Sequence, residues 1–243
     1  MAAPVHMSLD DLTAIYRSDR RHHDDGRPWV MLNMIVSVDG AIAVDGLSGG
    51  LGGPGDHAVF STLRGLADVV LVAAGTARAE KYRPARPDEA TRAARRARGQ
   101  SEAAAIAVVT RSLDLDLDSE LFVDGIGTTV VTTTDADPEA LASVAERAAV
   151  VSAGAGDVDL AAAIAALGDR HGPLVLAEGG PRLNGALMQA DVVDELCITV
   201  SAMVVGGDGG RMTAGGHHDP RRYSLDRAVA HDDLLFTRYL RRR

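Results

Sequence analysis

Glu178-Gly179-Gly180-Pro181 stands directly after the apolar run Leu174-Val175-Leu176-Ala177, and a helical pattern follows from Pro181. Proline is favoured at a first helical position, because its missing N–H would be unpaired there anyway. The other unpaired N–H groups and the positive end of the helix dipole attract an anion. Glycines let a phosphate approach the backbone with no Cβ in the way. A dinucleotide pyrophosphate fits such a place, and Glu178 sits where a substrate could meet the cofactor. The same four residues also read as an ordinary strand-to-helix turn, so the chemistry depends on partners elsewhere.

In open α/β sheets, ligands bind beyond the carboxyl ends of the strands. The run Trp29 to Val36 delivers Ser37, Asp39 and Gly40 there, and Asp68 to Ala73 delivers Gly75-Thr76, Arg78 and Glu80. Ile106 to Val109 delivers Thr110-Arg111-Ser112. An arginine between two hydroxyls suits an adenosine 2′-phosphate, which favours NADPH over NADH; a solvated loop arginine is the other reading. Asp39 reads either as a second catalytic carboxylate or as the tie of its own turn. A rival G-x-G at Gly154 and Gly156 has Asp159 in place of the third glycine, and Asp157 would repel a pyrophosphate. Asp157 is better read as a helix cap ahead of Val158.

Other chemistries find little support. His22-His23 and His217-His218 are adjacent pairs in polar or glycine-rich segments, His57 and His171 are single, and no metal site is expected. Cys197, the only cysteine, lies in a strand-like run and reads as a small core residue. There is no G-x-S-x-G elbow. A zinc base deaminase is excluded, because H-x-E paired with P-C-x-x-C is missing.

The elements that must hold these residues follow from the patterning. The chain has 243 residues, 46% hydrophobic and 24% charged, enough for one sizeable core. Aromatics are 3%, so stacking platforms for bases are nearly absent, and a net charge of −9 argues against nucleic acid or an anionic membrane as partner. No signal peptide or membrane-length apolar stretch is visible, and the cytoplasm is the expected compartment. Ser8 to Arg17 reads as a helix capped by Ser8, followed by a polar segment to Pro28. Residues 1–28 thus form an N-terminal helix and leader, and 29–243 the domain proper. Pro84 to Glu102 has no apolar stripe and reads as an exposed helix or mobile loop. Strands alternate with helices at Pro54–Leu66, Pro138–Ala148, Val158–Leu167 and Pro181–Gln189, which predicts a largely parallel sheet covered on both faces. Tyr223–Ala230 and Leu234–Leu240 flank a turn, so the sheet should finish in an antiparallel hairpin.

Together the strand ends resemble the riboflavin-biosynthesis pyrimidine reductase family, whose fold is dihydrofolate-reductase-like. The resemblance rests on Ser37-Val38-Asp39-Gly40, the Gly52-Gly53-Pro54 turn with Arg64 down its helix, Gly75-Thr76, Glu178-Gly179-Gly180-Pro181-Arg182-Leu183, Asp194-Glu195-Leu196 and Val205-Gly206-Gly207. It spans the chain from about Trp29 onward. It implies a three-layer α/β fold and hydride transfer from NADPH to C1′ of an aminopyrimidine ribosyl 5′-phosphate, giving the ribityl product. The family pattern implies that Thr76, Glu80, Arg111 or Ser112, and the stretch from Gly179 through Pro181, Arg182 and Leu183 hold the cofactor. It places Ser48, Arg64 and Glu178 at the substrate, with Arg83 or Arg86 near a second phosphate contact. Ser37 joins the substrate set, Arg64 is expected to clamp the 5′-phosphate, and Glu178, with Asp39 as the other carboxylate, is expected to be the acid. Glu80 stands where the bifunctional relatives more often carry aspartate, and Gly50 replaces a bulky aromatic, which alters the substrate pocket. Related reductases pair as homodimers, with the run Ile198 to Val205 as an interface strand here. A dihydrofolate reductase and a non-catalytic NADPH-binding domain are the competing readings.

Overall fold

Short apolar runs bounded by glycine and polar residues set the strands. The computed structural model describes residues 5–123, 127–207, 209–215 and 220–242; the expectation for His217-His218 falls outside them. The strands are β1 (Val5–His6), β2 (Trp29–Ser37), β3 (Val69–Ala73), β4 (Ala105–Val109), β5 (Thr128–Thr132), β6 (Ala149–Ser152), β7 (Leu174–Ala177), β8 (Glu195–Ser201), β9 (Tyr223–His231) and β10 (Leu234–Arg241). They form one sheet in the order β1-β9-β10-β8-β2-β7-β3-β4-β5-β6. Every neighbouring pair from β8 through β6 is parallel. The β9–β10 hairpin adds antiparallel strands beside β8, so the mixed sheet has the expected ending.

Eight helices connect the described strands: α1 (Leu9–Ser18), α2 (Pro54–Leu66), α3 (Ala74–Ala79), α4 (Glu89–Ala97), α5 (Glu120–Val123), α6 (Pro138–Ala145), α7 (Leu160–His171) and α8 (Pro181–Gln189). Strand side chains alternate between faces, and this divides the core. Val70 and Val72 of β3 pack with Val59 and Leu63 of α2, whereas Val69 and Leu71 pack with Leu183 and Leu187 of α8. The helices after β2 and β7 therefore lie on opposite faces, giving three layers. Because β7 is inserted between β2 and β3, these two connections leave the sheet in opposite directions. A crevice opens at the carboxyl ends where they part.

The N-terminal leader is part of this core. Ser8 caps α1 by accepting from the Asp11 N–H, and Leu12 and Tyr16 are buried in the α2 layer. Arg21 donates to both oxygens of the buried Glu195, at 2.9 and 2.8 Å. The segment without an apolar stripe also has an anchor. Arg95 of α4 is fully buried and donates to Ala67 O at 2.6 Å, Gly65 O at 3.2 Å and Ser101 O at 2.7 Å. It satisfies carbonyls left over at the end of α2, so a cation holds the segment where apolar residues are lacking.

Two expectations need correction. Helix α7 starts at Leu160 with Asp159 as its cap, and Asp157 lies outside it. The Gly154–Gly156 turn is closed on itself: a Cβ at Gly154 would stand 2.4 Å from Asp157 O, and the Gly156 N–H is taken by Asp135. β8 cannot pair with a second chain through its edges, because β2 and β10 occupy both.

Candidate active site

The crevice holds a cleft of about 240 Å³ lined from β2, α2, α3 and the β7–α8 turn. Gly53 precedes α2 and Pro54 opens it, while Val59, Thr62 and Leu63 face the core. Asp56, Phe60 and Arg64 recur every four residues, which places them on one stripe of α2. Asp56 and Phe60 line the cleft. Arg64 lies over the Phe60 ring at 4.2 Å and the Tyr82 ring at 5.0 Å.

Glu178 ends β7 and is buried. Its Oε1 accepts from Arg64 Nε at 2.8 Å, and its Oε2 accepts from Arg64 Nη2 at 2.6 Å and from the Tyr82 hydroxyl at 2.6 Å. The Glu178 pair holds the Arg64 guanidinium above its ordinary pKa despite burial, and burial beside Glu178 pushes the Tyr82 hydroxyl well up. The fork of Arg64, expected to clamp the 5′-phosphate, is engaged by Glu178 through Nε and Nη2. A carboxylate holding three donors is shaped to accept further hydrogen bonds and to fix a substrate's position.

The Gly179–Gly180 peptide is cis, and Gly180 caps α8 with Pro181 at the first helical position. A Cβ on Gly180 would stand 2.5 Å from the Thr76 hydroxyl oxygen. Only glycine keeps this passage open between the β7–α8 turn and α3. The Arg182 and Leu183 N–H groups point from the same helix start, where the dipole favours an anion. Leu183 gives its side chain to the core, and Arg182 is exposed, so any contact these two make with an anion in the turn runs through the backbone. The donors and the cradle suit a pyrophosphate.

Of the other expected residues, Ser48, Thr76, Glu80, Gly179, Gly180 and Pro181 all line the cleft. Glu80 accepts from the Ser48 N–H and hydroxyl, both at 2.9 Å, and so holds the rim loop against α3. Arg111 and Ser112 are exposed just beyond β4. Three residues are placed differently. Ser37 is buried and donates to Asp39, accepting in turn from the Ala41 N–H at 2.8 Å. Asp39 also takes the Val205 and Gly206 N–H groups, and these donors hold its carboxyl down at about 2. It ties a loop to the end of β2, and neither residue lines the cleft. Arg83 pairs with Glu120 at 3.3 Å and lines a neighbouring cavity that shares Tyr82 as a wall.

Asn33, Asp56, Phe60 and Tyr82 line the cleft without having been singled out. The four-residue spacing from Asp56 to Arg64 was the signal available for two of them. Among the described residues, no group of three or more His, Cys, Asp or Glu could hold a metal, and no helix is long and apolar enough to cross a membrane.

Comparison with known proteins gives a consistent outcome. The family model described as the RibD C-terminal domain matches residues 28–232. A protein of Methanothermobacter thermautotrophicus named 2,5-diamino-6-ribosylamino-4(3H)-pyrimidinone 5′-phosphate reductase is 27% identical over 220 residues, covering 88% of this chain and 98% of that protein. A pyrimidine reductase-like protein of Corynebacterium diphtheriae superposes with a TM-score of 0.85 at 24% identity, covering 96% of this chain and 99% of that one. Dihydrofolate reductase from Enterococcus faecalis superposes with a TM-score of 0.52 at 14% identity, covering 88% and 97%. The fold is dihydrofolate-reductase-like.

Proposed function

This chain belongs to the RibD C-terminal domain family, and we propose that it is an NADPH-dependent reductase of riboflavin-type biosynthesis. Its substrate would be an aminopyrimidine ribosyl 5′-phosphate and its product the ribityl compound, as the name of the archaeal relative suggests. One observation carries the reading: a carboxylate fixed by three donors stands beside a glycine cradle at a helix start, in a single cleft.

NADPH, when bound, supplies a hydride to C1′ of the sugar. Thr76, Gly179, Gly180 and the N–H groups of Arg182 and Leu183 would hold the pyrophosphate. β3 and β4 follow β7 in the sheet, so the end of β4 lies about 10 Å from that of β7. Arg111 and Ser112, exposed there, would meet the adenosine 2′-phosphate. Glu178 accepts hydrogen bonds from sugar hydroxyls and orients the ribosyl group, since a well-held geometry is what a transfer reaction demands of the protein. Glu80 keeps Ser48 at the cleft rim. Arg83, exposed and paired with Glu120 at the neighbouring cavity, would have to exchange that partner to reach the 5′-phosphate. A cytoplasmic homodimer completes the reading, and the exposed apolar side chains of Val38, Met203 and Val204 suit a contact between copies.

A substrate panel read by NADPH oxidation tests this. Oxidation with the phosphorylated aminopyrimidine and not with dihydrofolate is expected. Oxidation with dihydrofolate alone would reassign the enzyme, and binding without oxidation of either would leave a non-catalytic domain.

A further inference from the structure

The reduction consumes one hydride and one proton, and neither Glu178 nor Glu80 is suited to give the proton. Their oxygens are taken by donors: both oxygens of Glu178 by Arg64 and Tyr82, and Oε1 of Glu80 by the N–H and hydroxyl of Ser48. Asp56 differs. It lines the same cleft from the first turn of α2, and the buried Thr199 hydroxyl of β8 favours its ionised form. Among the described residues no arginine or lysine forms a salt bridge with it, and His57, next to it on α2, favours its ionised form. His231 of β9 lies behind Gly55, where an added Cβ would meet its ring at 2.8 Å. Glu80 and Glu178 line the same cleft, the latter paired with Arg64. Burial pushes the Asp56 carboxyl above the ordinary carboxylate range, and this outweighs the opposite pull of Thr199 and His57.

We propose that Asp56 is the proton donor of the reaction, giving its proton to the ring oxygen O4′ of the ribosylamine. The inference rests on the reductase reading. The C1′–O4′ bond breaks with its electron pair passing to O4′, which takes the Asp56 proton and becomes the C4′ hydroxyl. The lone pair of the glycosyl nitrogen forms C1′=N. C1′ then accepts the hydride from the reduced nicotinamide, and the C=N π pair returns to nitrogen. Asp56 is left ionised and is reprotonated from water at the cleft mouth. A proton donor whose pKa is raised toward the working pH is what general acid catalysis favours.

Asp56→Asn and Thr199→Val test the assignment, through pH profiles of kcat/KM and ¹³C-carboxyl NMR of aspartate-labelled apoenzyme. Wild type should lose rate as pH rises through the Asp56 titration. Asp56→Asn should bind NADPH as wild type does, fall at least about 100-fold in kcat/KM, and lose both that limb and one raised carboxyl resonance. Thr199→Val removes a hydroxyl that favours the ionised form, so limb and resonance should both move to higher pH. An Asp56→Asn rate within threefold of wild type, or a raised resonance that persists in it, overturns the proposal. So does a Thr199→Val profile that does not move. Wild-type enzyme inactive on the aminopyrimidine phosphate at every pH would instead bring down the reductase reading.

Discussion

Arg64 and Glu178, 114 residues apart in sequence, meet through two N–H···O bonds of 2.8 and 2.6 Å. The Glu178 side chain is only 3% exposed, and a buried carboxylate is tolerated when paired and hydrogen-bonded. Arg64→Ala leaves that charge uncompensated and should cost about 3–5 kcal/mol of stability. Arg64→Lys keeps the charge without the fork and should fall between. Denaturant unfolding of the three proteins checks the order, and an alanine variant as stable as wild type would refute it.

Glu178→Gln should separate positioning from cofactor binding. The amide keeps the shape but loses one acceptor toward Arg64, so the side chain turns and the substrate is held loosely. A misplacement of this kind costs about 100-fold in rate. NADPH affinity, read by fluorescence titration, should be unchanged, because the cradle is built from Thr76 and backbone groups. A variant that turns over at the wild-type rate removes Glu178 from the site.

Gly180→Ala puts a methyl group 2.5 Å from the Thr76 hydroxyl. The Thr76 hydroxyl must turn away or the β7–α8 turn must shift, and both border the expected pyrophosphate position. The KM for NADPH should rise at least about tenfold, an effect of 1.4 kcal/mol. Thr76→Ala in the same chain should recover thermal stability by removing the colliding oxygen, without restoring the lost hydroxyl contact. If Gly180→Ala binds NADPH as wild type does, the cradle lies elsewhere.

The strands and the β7–α8 turn were legible because apolar runs, glycines and Pro181 act locally. Helix α8 begins at Pro181 and ends at Gln189, as its pattern predicts. The destinations of polar side chains were not legible in the same way. Arg64 read as a phosphate ligand because nothing near it in sequence announces Glu178. Asp56 looks like an ordinary first-turn acid until sheet order places Thr199 and the cleft beside α2. Ser37 and Asp39 form a small self-contained knot with Gly206, which strand-end reasoning cannot tell from a binding group. Arg95 shows the same limit in a helix: its partners are carbonyls of another helix end, and carbonyls carry no sequence signal.

The buried cluster behind β2 gives the last prediction. Glu195 is fully buried and accepts from Arg21, Arg238 and the Trp29 indole N–H. These donors outweigh burial and hold its carboxyl down at about 2, against an ordinary 4.5. A depressed carboxylate contributes stability that is present above its unfolded pKa and lost as pH falls through the folded one. The loss should begin near pH 5 and be nearly complete at pH 2, with a size of roughly 3 kcal/mol at 1.36 kcal/mol per unit. Glu195→Gln leaves Arg21 with Asp19 and Arg238 with Asp19 and Asp226, so at neutral pH it should cost less than the about 3–5 kcal/mol of a fully unpaired buried charge. It should also remove this part of the acid dependence, because no proton is left to bind. Denaturant unfolding between pH 7 and pH 3 separates the two effects: the gap between wild type and variant must narrow as the solution is acidified. A gap of constant width would mean that the leader is held to the sheet by packing of Leu12 and Tyr16, with the ion cluster contributing little.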